Sequence, residues 1–223
     1  PVIDAEVWGQ SHAPERVGVR GHVALTNFTF RDTPVSAFTS GLAYSNQVLE
    51  AFEPRVWRGT QHLRATGVAV NFTTRRVHLT NVFSTDDPMV VTRAIGPKTA
   101  RAIEPYHFAA PPVVHLEGTV PMRGNAGADL RVEVSGGPFN WWKFNVPQIA
   151  GTVHWQDDLV TLTNVTAAFH GGEARGWGVF GAAPGNGTDC RFDLTATNVQ
   201  FQALMADLST RTNRLEGTLD AAL

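Results

Sequence analysis

Eight histidines are the first residues to weigh for chemistry: His12, His22, His62, His78, His107, His115, His154 and His170. A zinc site draws its ligands at tight spacings such as His-x-His or His-Glu-x-x-His. None of the eight stands in such a pair. His115-Leu116-Glu117 puts an imidazole and a carboxylate on one side of a strand, as a metal site or an acid/base pair requires. Any solvent-facing strand has the same spacing, because side chains alternate with period two. Asp157-Asp158 with Glu173 would suit glycoside hydrolysis if folding brought the carboxylates together. The plainer reading of Asp157-Asp158 is a turn, and of Asp86-Asp87 a helix cap. No Gly-x-Ser-x-Gly elbow and no phosphate loop is present. The expectation is therefore a chain that is not an enzyme, with no catalytic residue, no metal and no cofactor. The lone Cys190 excludes an internal disulfide framework and reads as a small apolar strand residue.

Trp141-Trp142, with Phe139 and Phe144, forms an aromatic group just after Gly136-Gly137-Pro138. Adjacent residues on a strand point to opposite faces. One indole then packs in the core, and the other is exposed, lines a groove or stacks on a sugar. The Asn-x-Ser/Thr sequences at Asn27, Asn71, Asn164 and Asn186 would matter only in a eukaryotic secretory protein and are expected in a Thr-rich β chain.

These residues need strands to hold them, and strands are what the pattern predicts. Leu130-Val132-Val134 alternates with Arg131-Glu133-Ser135, and Cys190-Phe192-Leu194-Ala196 with Arg191-Asp193-Thr195-Thr197. Leu63 to Phe72 reads as one strand with two faces, and Val77-Leu79 alternates with His78-Thr80. Turn signals separate the runs: Arg31-Asp32-Thr33-Pro34, Ser135-Gly136-Gly137-Pro138, Asp157-Asp158 and Pro184-Gly185-Asn186-Gly187. Two stretches follow a helical period instead. Asp87-Pro88 opens a helix that Gly96-Pro97 closes, with a shorter one through Ala100–Ile103. Phe201, Leu204, Met205 and Leu208 make an amphipathic stripe suited to lie across an open sheet end. Small phrases recur: Leu-Thr-Asn at 25–27, 79–81 and 162–164 with a looser copy at Thr197-Asn198-Val199, and Gly-Thr-Val/Leu at Gly118, Gly151 and Gly217. Such recurrence predicts hairpins repeated along one axis.

Composition agrees. Of 223 residues 43% are hydrophobic and 17% charged, with a net charge of −2. No basic stripe suggests nucleic acid. No run reaches the roughly 18 apolar residues of a membrane span. The ends, Pro1-Val2-Ile3-Asp4 and Leu219-Asp220-Ala221-Ala222-Leu223, read as cuts in a longer protein.

The second half resembles the C-terminal region of the AsmA-like family of Gram-negative envelope proteins. The residues that carry the resemblance begin with Gly151-Thr152-Val153 and Leu159-Val160-Thr161-Leu162-Thr163-Asn164-Val165. They continue through Phe169-His170-Gly171-Gly172-Glu173-Ala174-Arg175-Gly176 and Phe192-Asp193-Leu194-Thr195-Ala196-Thr197-Asn198-Val199. They end with the helix Phe201–Leu208 and Leu215-Glu216-Gly217-Thr218-Leu219. The resemblance implies a mostly β fold: a strongly curved, open antiparallel sheet with one or two short helices and a hydrophobic groove inside. It implies a periplasmic location with an inner-membrane anchor outside this chain, and carriage of phospholipid acyl chains between the two membranes. The chain is expected to be one β-rich region, with strands over 1–83, a helical insertion over 84–108 and strands over 109–223 that include the helix 201–208. The expected groove residues are Val77, Leu79, Leu130, Val132, Val134, Val153, Trp155, Phe192 and Leu194. Cut sheet edges are expected to favour self-association. The competing expectation is a carbohydrate-binding or adhesin-like β-sandwich, which would leave no apolar face open.

Overall fold

The computed structural model describes residues 2–10, 12–95, 100–101, 103–141, 143–183, 187–208 and 216–223. In the first part of the chain the strands are β1 Val2–Gln10, β2 Ala13–Phe30, β3 Thr33–Ser45, β4 Val48–Arg58, β5 Gln61–Arg64, β6 Gly67–Asn71 and β7 Arg76–Ser84. Helix α1, Pro88–Ile95, and strands β8 Tyr106–Phe108, β9 Val113–Pro121, β10 Asp129–Gly136, β11 Phe139–Trp141 and β12 Phe144–Val146 come next. Strands β13 Gln148–Gln156, β14 Leu159–Phe169, β15 Gly172–Ala183 and β16 Gly187–Gln200, helix α2 Phe201–Leu208 and β17 Thr218–Ala222 complete the order. The fold is mostly β, dominated by a 14-stranded antiparallel sheet of order β1-β2-β3-β4-β5-β7-β9-β10-β13-β14-β15-β16-β17, in which β6 pairs with β4 and β7. A second sheet has the order β12-β11-β8.

The chain folds as two compact units, residues 1–86 with 114–131 and residues 87–113 with 132–223. In the first, two-residue loops join β2 to β3 and β3 to β4. Arg31-Asp32 and Asn46-Gln47 all have φ between 46° and 63°, the twist that hairpin loops of this length demand. The expected single strand from Leu63 to Phe72 is two strands. It breaks at Ala65-Thr66, where Ala65 N–H bonds Pro54 O and Thr66 N–H bonds Thr80 O at 3.0 Å each. Phe72 falls in the following turn. The break inverts the alternation, so Leu63 and Val68 share a face although an odd number separates them.

In the second unit, β13 to β17 form a meander and the small sheet carries aromatic side chains. Phe139 is buried, stacks with Tyr106 at 6.3 Å and meets Phe108 at a tilt, ring centroids 4.9 Å apart. Phe144 of β12 meets Phe169 at the end of β14, with ring centroids 5.5 Å apart. Trp142 lies outside the described residues, as do Gly96-Pro97, Leu215 and the Pro184–Asn186 part of a predicted turn. A tight loop reverses the chain between β14 and β15. His170 and Gly171, with φ of 45° and 80°, form the loop, and Phe169 pairs with Gly172. Gly172 is glycine for a different reason: a Cβ there would run into the backbone of Thr197 and Asn198.

Both predicted helices form. Asp87 caps α1, its carboxylate accepting Met89 N–H at 2.8 Å with Pro88 in the first turn. Ala100, Arg101 and Ile103 are helical too, and Glu104 N–H bonds Ala100 O. Asp86 does not cap. It is buried and receives Arg58 Nη1 at 2.9 Å. Helix α2 stands beside the β14–β15 loop, with Asp207 Oδ2 3.4 Å from His170 Nε2. Its stripe is only partly covered: Phe201, Leu204 and Met205 are half-buried and Leu208 is exposed.

The chain buries little. Its accessible surface is 14525 Å². A compact monomer of 24.2 kDa exposes about 10,000 Å², and two separately compact halves of that mass together about 12,000 Å².

Candidate functional site

Directly opposed residues in a sheet share a face, so register reads the composition of each face. In the first unit one row runs Val7, Val19, Tyr44, Leu49, Val70, Val77 and Val120 across seven strands. The neighbouring row, facing the other way, runs Glu6, Arg20, Ala43, Glu50, Ala69, His78 and Thr119. In the second unit Val153, Leu162, Gly178 and Phe192 form one apolar row, and Trp155, Val160, Phe180 and Cys190 the next. A third row, Ile149, Ala167, Ala174, Ala196 and Ala221, is built of small side chains. The face thus grades from bulky and aromatic at the Asp157-Asp158 end to shallow at the α2 end.

These faces are half-buried rather than buried. Val77, Leu79, Leu130, Val132, Val134, Val153, Trp155 and Leu194 are intermediate in exposure, and Phe192 is 58% exposed. Inner residues of two packed layers would be excluded from water. Of the nine expected groove residues, register unites Val77 with Leu79, and it unites Val153, Trp155, Phe192 and Leu194. Leu130, Val132 and Val134 share the half-buried side of β10, of which Leu130 belongs to the first unit and the other two to the second. The ring of Phe180, two residues along the same strand, leans over Gly178. Trp155 is fixed by its indole N–H, which donates to Asp157 O at 2.6 Å.

The recurring Leu-Thr-Asn phrase keeps these faces apolar. Between Leu79 and Val82 two residues of β7 oppose one of β9. The same two-for-one register occurs between Leu162 and Val165 of β14 against β15, and between Ala196 and Val199 of β16 against β17. Each is a β-bulge. Asn81, Asn164 and Asn198 have φ of 48°, 53° and 54°, and Asn27 of the first copy has 50°. Asparagine is among the few residues that enter this region readily. The extra residue lets apolar side chains three apart fall on one face. The signal was in the sequence as an apolar residue at spacing three across Thr-Asn, where a regular strand has spacing two. Glu53-Pro54 makes a further two-for-one step against Ser40, in line with the Ala65-Thr66 break and the Thr80-Asn81 bulge. Asn81 Nδ2 donates to Thr66 Oγ1 across that line at 3.2 Å. Ser40, Ala65 and Val82 are buried along this line.

The carboxylates that would suit glycoside hydrolysis do not meet. Among the described residues no group of three or more His, Cys, Asp or Glu is placed to hold a metal ion. Asp157-Asp158 is a turn at one end of the β13–β14 hairpin, and Glu173 sits at the other, opposite Ala168. The eight residue steps from Glu173 to Gly181, which pairs with Leu159, span about 26 Å, too far for paired carboxylates. Glu173 instead takes Arg175 Nε and Nη2 at 2.8 and 2.9 Å, which holds its carboxyl below the usual range. His115 packs its ring on Phe83 at 4.7 Å, and His62 does so at 5.4 Å. No helix among the described residues is long and apolar enough to cross a membrane. No family model, no curated protein and no solved structure matches the chain.

Proposed function

We propose that this chain is the acyl-chain-carrying part of a longer envelope protein of AsmA-like type, curved into a groove. It would be periplasmic, anchored to the inner membrane by a segment outside the chain, and would pass phospholipid between inner and outer membranes without covalent chemistry. The single observation behind this reading is the continuous apolar face of each unit, whose side chains are half-buried in one layer. A methylene moved from water onto such a face gains about 0.8 kcal/mol, so an acyl chain supplies the missing layer while the headgroup stays at the open seam. The competing β-sandwich needs a second sheet over the same side chains, and their partial exposure weighs against it.

The test is a photo-reactive residue at Val132, Leu194 or Val153 in the full-length protein, expressed in a bacterial host, with native mass spectrometry of the purified protein. Phospholipid should co-purify and crosslink from these positions and not from Thr161 or Thr195 on the other face. Absence of both co-purified and crosslinked lipid refutes the carrier reading and leaves a scaffold.

A further inference from the structure

The polar face of β15 carries a second feature, independent of the lipid reading. Each Thr-Asn bulge of β7, β14 and β16 opposes a single residue on the next strand: Glu117, Trp177 and Asp220 in turn. At the last of these the opposed carboxylate has a visible use, since Asp220 Oδ1 accepts Asn198 N–H at 2.7 Å. An indole has no acceptor to offer. Trp177 therefore stands where the other copies have an acid, and it is 46% exposed. It lies in an open depression lined also by Thr163, Asn164, Arg175, Asp193 and Thr195. The Arg175 guanidinium is held in place by Glu173 at 2.8 and 2.9 Å.

We propose that this depression is a saccharide subsite, taking a neutral hexopyranose unit of a glycan. A sugar ring presents an apolar C–H face and an equatorial rim of hydroxyls. The exposed indole matches the first, and the hydroxyl, amide, carboxylate and guanidinium groups around it match the second. Sites for small ligands have this composition, an apolar surface with a few placed polar groups. An acyl chain would leave those polar groups unpaired, and a polyanion would meet Asp193. Trp177 projects from the face opposite that of Phe192 and Leu194, because Gly176 and Gly178 pair with those two residues. Glycan and lipid would therefore occupy opposite sides of the same strand without competing.

The purified 223-residue chain should be titrated with chitotetraose, cellotetraose and maltotetraose by calorimetry, following the Trp177 indole N–H by NMR. At least one sugar should bind saturably and shift that resonance. Trp177→Ala should weaken binding by about tenfold or more, and Trp177→Phe by less, with circular dichroism unchanged. No saturable binding of any of the three overturns the proposal. So does binding that Trp177→Ala leaves unaltered, which places the sugar elsewhere on the chain. If Trp177→Ala fails to fold, Asp193→Ala and Thr195→Ala on the exposed neighbouring strand decide: weaker binding supports the subsite, and unchanged affinity refutes it.

Discussion

Single residues hold this sheet by conformation as much as by contact. Asn81 has a left-handed φ of 48° and a bond of 3.2 Å to the Thr66 hydroxyl. Asn81→Gly keeps the first and loses the second, whereas Asn81→Ala loses both. Urea unfolding should show a loss of about 1–2 kcal/mol for Ala and distinctly less for Gly. The Arg58–Asp86 ion pair is enclosed, with Asp86 6% and Arg58 22% exposed. Asp86→Ala strands the guanidinium and should cost about 3 kcal/mol, most of which Arg58→Met in the same chain should restore. Glu173 and Arg175 are both exposed, so their pairing adds little stability. Its signature is in titration instead. The Arg175 hydrogen bond lowers the folded-state pKa of Glu173. The pair's contribution is present at neutral pH and is lost as pH falls through that lowered value. Carboxyl-carbon NMR should find the Glu173 midpoint below that of an ordinary glutamate, and Arg175→Ala should return it to the ordinary range.

At the scale of the element, the bulges are register devices. Deleting Asn81 leaves a regular strand in which Val82 and Ser84 turn to the polar face and Phe83 to the apolar one. The deletion should abolish cooperative unfolding of the first unit, a far larger effect than any substitution at the site. Much of the element order was legible: the alternation in β10 and β16, the Asp87 cap with Pro88, and the stripe of α2 each follow from side-chain period or a missing N–H. The break between β5 and β6 was not. Leu63 to Phe72 alternates without a fault, and what splits it is the pair of irregularities on β4 and β7 that flank it. Trp177 was legible only as a strand residue between two glycines, because its difference from Glu117 and Asp220 emerges once register is known.

At the scale of the whole chain, the faces were legible and their covering was not, since period two says which side is apolar but not what lies upon it. Charge placed on the face gives the direct check: Leu194→Asp should abolish lipid crosslinking from Val153 while near-ultraviolet circular dichroism confirms an intact fold. The strand path ends at β1 and β17, and Val2, Ile3 and Val7 on β1 are each more than 65% exposed. An uncovered apolar edge recruits strands. Sizing across concentrations should show association that Ile3→Lys and Val7→Lys together suppress.

The large accessible surface has a calorimetric consequence. An unfolded chain of 24.2 kDa exposes about 35,000 Å², so folding to 14525 Å² removes about four-fifths of what a compact protein of this mass would remove. Heat capacity of unfolding follows the area hydrated, and for this length a compact protein would show about 3 kcal/mol/K. Differential scanning calorimetry should find about 2.4 kcal/mol/K for the lipid-free chain. Its stability would then vary less with temperature than that of a globular enzyme of equal length. Acyl chains laid on the exposed rows would add area that unfolding and release must rehydrate, so a lipid-loaded sample should show the larger heat capacity and the more sharply curved stability profile.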